Sequence, residues 1–366
     1  MRSPALTMPA AETDEENPTA SAGAPVLPAL PAHVPLAAQV RGGVVEGVHY
    51  GSVAATEADG SLVFAAGAST VPFFPRSALK PLQAVALVRA GLRVRDALLA
   101  LAAASHSGSA AHRGGALEIL RQHGLTAEAL RNTRDLPYGA AEREDWLRSG
   151  GRADRICQNC SGKHAAMAAV CKLNGWDADT YLDPQHPLQL LVAETIAELT
   201  GETPAAWTTD GCGTPLPALT LAGMARAYGR LAAAGAAAPT HDGDDAHPGA
   251  EAAVARAMTQ HPEMVAGEGR DVTALMRALP GAVAKDGFEG VQLVGLPDGR
   301  AVAVKVSDGG DRARMPITVR ALSTLGVPEA APAGALEALA AQPVLGGGRR
   351  VGELVALEAA FPASAL

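Results

Sequence analysis

Two stretches of the chain hold side chains able to do chemistry. In "FPRSALKPLQA", Ser77 and Lys80 stand three apart where a helix begins, so they share one helix face a turn apart. The hydroxyl becomes a nucleophile if an amine takes its proton, and only a neutral amine can do so. Holding a lysine neutral near pH 7 costs roughly 4–5 kcal/mol, at about 1.36 per pKa unit, and needs desolvation or a neighbouring cation. Arg76 is a candidate cation. The competing reading is a serine N-cap followed by a solvated lysine. The second stretch, "RICQNCSGKHAAM", groups Cys157, Cys160, Lys163 and His164, and about fifty residues on "TTDGCGTP" adds Asp210 and Cys212 in a glycine-flanked turn. The C-x-x-C opening could be half a zinc site or a redox pair, but no second C-x-x-C or H-x-x-H completes it. Cys160 and Cys212 with Lys163 or His164 would make a three-ligand metal site with an open position. A lysine ligates only after losing its proton.

Two further groups bear on the first stretch. In "AAASHSGSAAH", Ser105, His106, Ser107 and His112 follow an apolar run and lead into a helix. They could bind a polar substrate or cap the helix. In "AVAKDGFEGV", Lys285-Asp286-Gly287 precedes a C-terminal hairpin. S-x-x-K with a K-x-G strand is the pattern of penicillin-recognising enzymes, whose terminal strands also surround a helical domain. Their S-x-N triplet is missing here.

These residues need a frame. "RGGVVEGVHYGSVAATEADGSLVFAAG" reads as a hairpin about Ala-Asp-Gly-Ser, and "GVQLVGLPDGRAVAVKVSDGG" as another about Pro297-Asp298-Gly299. Between them alanine- and leucine-rich periodic runs, broken by Gly and Pro, predict helices from about 77 to 280. "ARMPITVRALSTLG" starts a late helix with Pro316 in its first turn. Isolated hairpins are marginal, so the terminal strands should join in one sheet. The expected fold is α+β: an antiparallel sheet built from N- and C-terminal strands, flanking helices and a central helical domain. Residues 1–35, biased to Pro and Ala with an acidic cluster, predict a disordered tail. Residues 36–366 then form a single catalytic unit, its sheet part at 36–76 and 281–366 and its mainly helical part at 77–280. Residues 233–253 read as a surface loop, and the stretch "AAPAGALEALAAQPVLGGGRRVGELVALEAAF" shows no readable chemistry.

Composition narrows the function classes. Among 366 residues, a net charge of −8 without a basic run argues against a nucleic-acid partner, and 3% aromatic content offers no base-stacking platform. The apolar runs are too short to span a bilayer, and the N-terminus lacks the apolar core of a secretory signal. Four cysteines in such a chain predict reduced thiols and a cytoplasmic location.

Taken in order, "GGVVEGVHYG", "FPRSALKPLQA", "ASHSG", "NCSGKHAAM", "HPLQ", "DGCGTP", "HPEMVAGEGR", "AKDGFEGV" and "VKVSDGG" resemble the thermolabile, Rhizobium-type L-asparaginases of the asparaginase II family, over about 40 to 327. That family's fold is similar to glutaminases and serine β-lactamases. The resemblance implies Ser77 as nucleophile with Lys80 as partner, and Ser105 with Lys285 as a second pair. It further implies one zinc ion held by Cys160, Lys163 and Cys212, with Asp210 nearby. Arg76, His106, His112, Asp210 and Arg270 are the expected substrate-binding residues, and a homodimer is the expected assembly. Phe288 stands where relatives often have Ala. The reading is an L-asparaginase, converting L-asparagine to L-aspartate and ammonia. Its competitors are a serine β-lactamase or peptidase-like hydrolase and a non-catalytic zinc or amino-acid-binding protein.

Overall fold

The computed structural model describes residues 29–237 and 249–362. Its strands in chain order are β1 (Val34–Arg41), β2 (Val44–Thr56), β3 (Leu62–Ala66), β4 (Ala206–Thr209), β5 (Pro215–Ala218), β6 (Val283–Gly287), β7 (Val291–Gly295), β8 (Ala301–Val306), β9 (Ala341–Gly346) and β10 (Arg349–Ala356). All but β4 and β5 form one sheet in the order β6-β7-β8-β2-β1-β10-β9, with β3 beside β2. Every pairing in it is antiparallel.

The two ends of the chain meet on β2. Its first half pairs with β1, from Arg41↔Val44 to Val34↔Gly51. Its second half pairs with β8 from Gly51↔Val306 to Thr56↔Ala301. Exposure follows this division: Val44 and Val45 face solvent, whereas Val53, Ala54 and Ala55 are fully buried. Both predicted hairpins form, β2–β3 and β7–β8. In the second, Gly299 donates its N–H to Leu296 at 2.9 Å with φ of +91°, a conformation that glycine adopts without Cβ strain.

The helical layer lies between β3 and β6, interrupted among the described residues only by the small β4–β5 hairpin. At its centre the helix Ser161–Asn174 is buried at every position from Ser161 to Cys171. Alanine at 165, 166, 168 and 169 makes this possible, because small side chains let neighbours approach from all sides. At Gly162 a Cβ would lie 2.5 Å from the Leu101 carbonyl oxygen, so glycine is required for that contact. The late helix Arg314–Thr324 carries Pro316 in its first turn as predicted, where the missing N–H costs nothing. The architecture is therefore α+β, with an antiparallel sheet from both chain ends, flanking helices and a central helical layer.

Two features differ from the sequence reading. The stretch without readable chemistry forms hairpin β9–β10, and β10 extends the sheet by pairing with β1. β1 begins at Val34, inside the segment assigned to the tail. Residues 1–28 of that segment lie outside the described residues. Of the loop expected at 233–253, residues 233–236 end one helix, 250–253 begin the next, and 238–248 lie outside the described residues.

Candidate active site

Ser77 sits in a single 3-10 turn, Arg76–Leu79, that runs straight into the helix Lys80–Arg89. The turn is held from three sides. The Arg76 backbone has φ of +53°, a left-handed conformation that costs a residue with a Cβ of order 1–3 kcal/mol. Its side chain helps hold it there: Nε donates to Asp210 Oδ1 at 2.8 Å, and the guanidinium lies 5.9 Å from the Phe288 ring centroid. From the helix Leu221–Ala236, the Tyr228 hydroxyl donates to the Ala78 carbonyl at 2.7 Å. On the third side β6 passes so close that a Cβ at Gly287 would lie 2.4 Å from the Pro75 carbonyl oxygen. The glycine of Lys285-Asp286-Gly287 is thus what lets this strand reach the turn.

Ser105 arrives on an extended segment after the helix Asp96–Ala102. The backbone N–H groups of Ser105, His106 and Ser107 donate to Val265, Asn159 and Ala266 at 3.0, 3.1 and 2.7 Å. Fixed this way, Ser105 Oγ accepts from Lys80 Nζ at 2.9 Å, and Lys80 donates also to the Ala104 carbonyl at 2.7 Å. The expected pairs were Ser77 with Lys80 and Ser105 with Lys285. The structure joins Lys80 to Ser105, while Lys285 donates to the Asp286 carbonyl at 2.8 Å and to the Asp286 carboxylate. All four side chains are buried to within a few per cent.

Ser77, Ser105, Asp286 and Gly287 line a narrow cleft. Tyr138, Asn159, Phe288 and Asp311 complete its wall. Burial pushes the Lys285 ammonium down, and Lys80 and Arg270 push the same way against the opposing pull of Asp286; the pKa settles at about 8. Burial raises the Asp286 carboxyl, but Lys285, Arg270 and Arg314 outweigh it and hold the group below the usual carboxylate range.

The remaining sequence candidates are distributed unevenly. Arg270 reaches the cleft through Asp286, donating from Nη2 to Oδ2 at 2.9 Å, and stacks 4.8 Å over Tyr138. Asp210 reaches it through Arg76. His106 and His112 do not line the cleft. Their rings stack on each other at 4.9 Å, and both are buried. His112 Nε2 donates to the Glu263 carbonyl at 2.9 Å while Nδ1 accepts from the Ser109 N–H at 3.2 Å, closing a capping box on the helix Ala110–Gln122. Burial lowers the pKa of both imidazoles, His106 the more strongly, with His112 and Lys80 adding to it. Three wall residues, Tyr138, Asn159 and Asp311, were not singled out from sequence. Asn159 opens the quoted motif "NCSGKHAAM" and Asp311 directly follows "VKVSDGG"; Tyr138 carries no local signal.

The cysteine cluster corrects an expectation. Cys160, Lys163 and Cys212 do come together, but among the described residues no group of three or more His, Cys, Asp or Glu side chains is placed to hold a metal ion. The zinc site is therefore not supported, and the physical reason lies in the lysine. Lys163 Nζ donates to Cys212 Sγ at 3.2 Å and to Thr214 Oγ1 at 3.0 Å. Burial alone would lower its pKa, but Cys212, Cys160 and Asp210 outweigh burial and raise it. An ammonium has no lone pair for a metal. Contact with Cys160, aided by Lys163 and His164, holds the Cys212 thiol well below its ordinary value, and the same contact raises Cys160. The arrangement is a buried thiolate–ammonium pair. His164, pushed by burial and Lys163 to a pKa of about 4, accepts on Nδ1 from the Tyr181 hydroxyl at 2.9 Å. Cys157 and Cys171 lie elsewhere in the core, and all four cysteines are free of disulfides.

Two serines and two aspartates thus line one cleft, with Lys80 bonded to Ser105 and Lys285 to Asp286. Residues 37–356 match the family model for L-asparaginase II, and the chain belongs to that family of hydrolases. Among curated proteins there is no significant match. Of solved structures, Mglu aligns at 16% identity over 76% of this chain and 67% of its own, with a TM-score of 0.33. Mglu in its glutamate form gives the same identity and TM-score, with this chain spanning 61% of its length. A β-lactamase from Mycobacterium bovis aligns at 15% identity, covering 75% of this chain and 94% of its own, with a TM-score of 0.33. No helix among the described residues is long and apolar enough to cross a membrane.

Proposed function

We propose that the chain is an L-asparaginase of the thermolabile, Rhizobium-type group, hydrolysing L-asparagine to L-aspartate and ammonia. The observation that carries this reading is the convergence of Ser77, Ser105, Lys80 and Lys285, from three separated parts of the sequence, beside one small cleft in a member of the L-asparaginase II family. Ser77 Oγ attacks the side-chain amide carbon, and its proton passes to the amine of Lys80, with Ser105 bridging. As the tetrahedral intermediate collapses, the C–N bond breaks and the leaving nitrogen takes that proton, releasing ammonia. Water then attacks the acyl ester, freeing aspartate and restoring the serine. Lys285 is the second amine, taking part in this transfer in its uncharged form.

One distance favours a second reading. Lys80 lies 2.9 Å from Ser105 Oγ, which supports Ser105 as the nucleophile with Ser77 assisting. A coupled ammonia assay with asparagine and glutamine side by side tests the activity, and comparison of Ser77→Ala with Ser105→Ala decides the nucleophile. Hydrolysis of nitrocefin without ammonia release from asparagine would favour a β-lactamase-like enzyme instead. The proposed assembly, on the family resemblance, is a cytoplasmic homodimer, to be checked by sedimentation.

A further inference from the structure

We infer that Asp311 receives the α-ammonium group of the substrate, and so makes the cleft selective for α-amino acid amides over plain acid amides. This rests on the amidohydrolase reading above and names the class of substrate that reading leaves open.

Two carboxylates face the cleft, Asp286 and Asp311. Asp286 is already committed, accepting from Lys285 and from Arg270 Nη2 at 2.9 Å. Asp311 is not. Its nearest cation is Arg314 Nε at 3.5 Å, and no hydrogen bond reaches its carboxylate among the described residues. Arg314 cannot close further at no cost, because its other nitrogens are held by Asp271 Oδ2 at 2.6 Å and by Gln292 Oε1. Asp311 therefore keeps acceptor capacity beside the cleft that Ser77 also lines. Its position is set by backbone: the Arg314 N–H donates to the Asp311 carbonyl at 3.1 Å, at the start of the helix Arg314–Thr324. Burial raises the Asp311 carboxyl and Asp286 adds to it, with Arg314 opposing. The Asp311 side chain is 61% exposed, so an ammonium entering the cleft displaces water from it rather than a buried partner, and makes a charge-assisted bond there.

The contrast to measure is L-asparagine against succinamic acid, the same amide without the amino group, in wild type and Asp311→Asn. Asparagine as the replacement keeps the shape and removes the charge. The expected result is a fall of roughly ten- to hundredfold in kcat/KM for L-asparagine, much larger than any change for succinamic acid. If succinamic acid turns over too slowly, competitive inhibition by L-aspartate and by succinate gives the same contrast, with only L-aspartate weakened. Equal losses on both compounds, no loss on either, or a wild type that does not distinguish them would each overturn the assignment. A wild type that releases no ammonia from asparagine overturns the asparaginase reading itself, and is recognised by that result before any variant is made.

Discussion

The cleft and the cysteine cluster each set a fully buried lysine beside a side chain able to carry negative charge, Asp286 or Cys212, and give the lysine opposite characters. Lys285 and Lys163 are both buried to within 1%, so each faces a similar desolvation penalty. Their neighbours decide the outcome. Around Lys285 stand two further cations, Lys80 and Arg270, against one carboxylate, and the pKa drops to about 8. Around Lys163 stand Cys212, Cys160 and Asp210, and the pKa rises. One environment prepares an amine that can give up its proton near neutral pH; the other fixes a permanent counter-ion. A buried lysine is thus loosened from its proton or held to it according to the net sign of what surrounds it.

The largest effect should separate the regions by activity. Ser77→Ala is expected to lower kcat by at least about a thousandfold with little change in melting temperature, since Ser77 lines the cleft. Cys212→Ala, by contrast, should keep most of kcat at saturating asparagine. Loss of turnover in both variants with the fold intact would erase the distinction. The next effect should separate them by stability. Lys163→Met leaves a buried thiolate without its ammonium, and breaking a buried pair from one side costs about 3–5 kcal/mol. Thermal melts should show that loss, and the double variant with Cys212→Ala should recover much of it. If the double variant is no more stable than Lys163→Met alone, the pair is not what the lysine serves.

The sequence revealed the parts of these sites better than their pairing. Ser77 and Lys80 were visible because a three-residue spacing at a helix start leaves little freedom, and both hairpins because Asp-Gly and Pro-Asp-Gly turns announce themselves. The exchange of partners was not visible: whether Lys80 turns to Ser77 or Ser105 depends on a segment laced to residues 159, 265 and 266, contacts far apart in the chain. Cys160, Lys163 and Cys212 were correctly seen as neighbours and wrongly taken as zinc ligands. Residue type alone could not reveal that the amine stays protonated. Strand β10 escaped because Gly346, Gly347 and Gly348 precede it and polar residues occupy much of its length, so its place beside β1 is fixed by tertiary packing. Tyr138 escaped because a lone aromatic carries no spacing to read.

The pH profile sharpens the comparison next. If the uncharged form of Lys285 is needed in the free enzyme, kcat/KM should rise with pH through about 8 and level off above it, because the group is charged below its pKa and neutral above. Asp286 favours the charged form, so Asp286→Asn should lower the Lys285 pKa and move the rising limb to more acid pH, by about one unit. A limb that stays in place would assign it to another group; a limb moving to alkaline pH would contradict the sign of the field around Lys285.

The smallest effect concerns the rim that closes the cleft. Phe288 is 43% exposed, yet its ring meets Tyr138 edge-to-face at 5.7 Å and lies beneath the Arg76 guanidinium. With Arg270 stacked on Tyr138, these four side chains form a chain of contacts from the Ser77 turn to Asp286. Phe288→Ala should leave kcat for asparagine nearly unchanged, since no reacting atom touches the ring, and should open space at the mouth. Glutamine, one methylene longer, is the substrate that gains. A methylene in a fitted pocket is worth about 1–3 kcal/mol, and a partly exposed rim recovers only a fraction of that. The asparagine-to-glutamine ratio of kcat/KM should therefore fall by roughly three- to tenfold. The aromatic pair itself contributes about 0.5–1.5 kcal/mol, so a small drop in melting temperature should accompany the change. An unchanged ratio together with that drop would make the rim a structural brace for Arg76 and Arg270. An unchanged melting temperature with a changed ratio would make it a gate and nothing more.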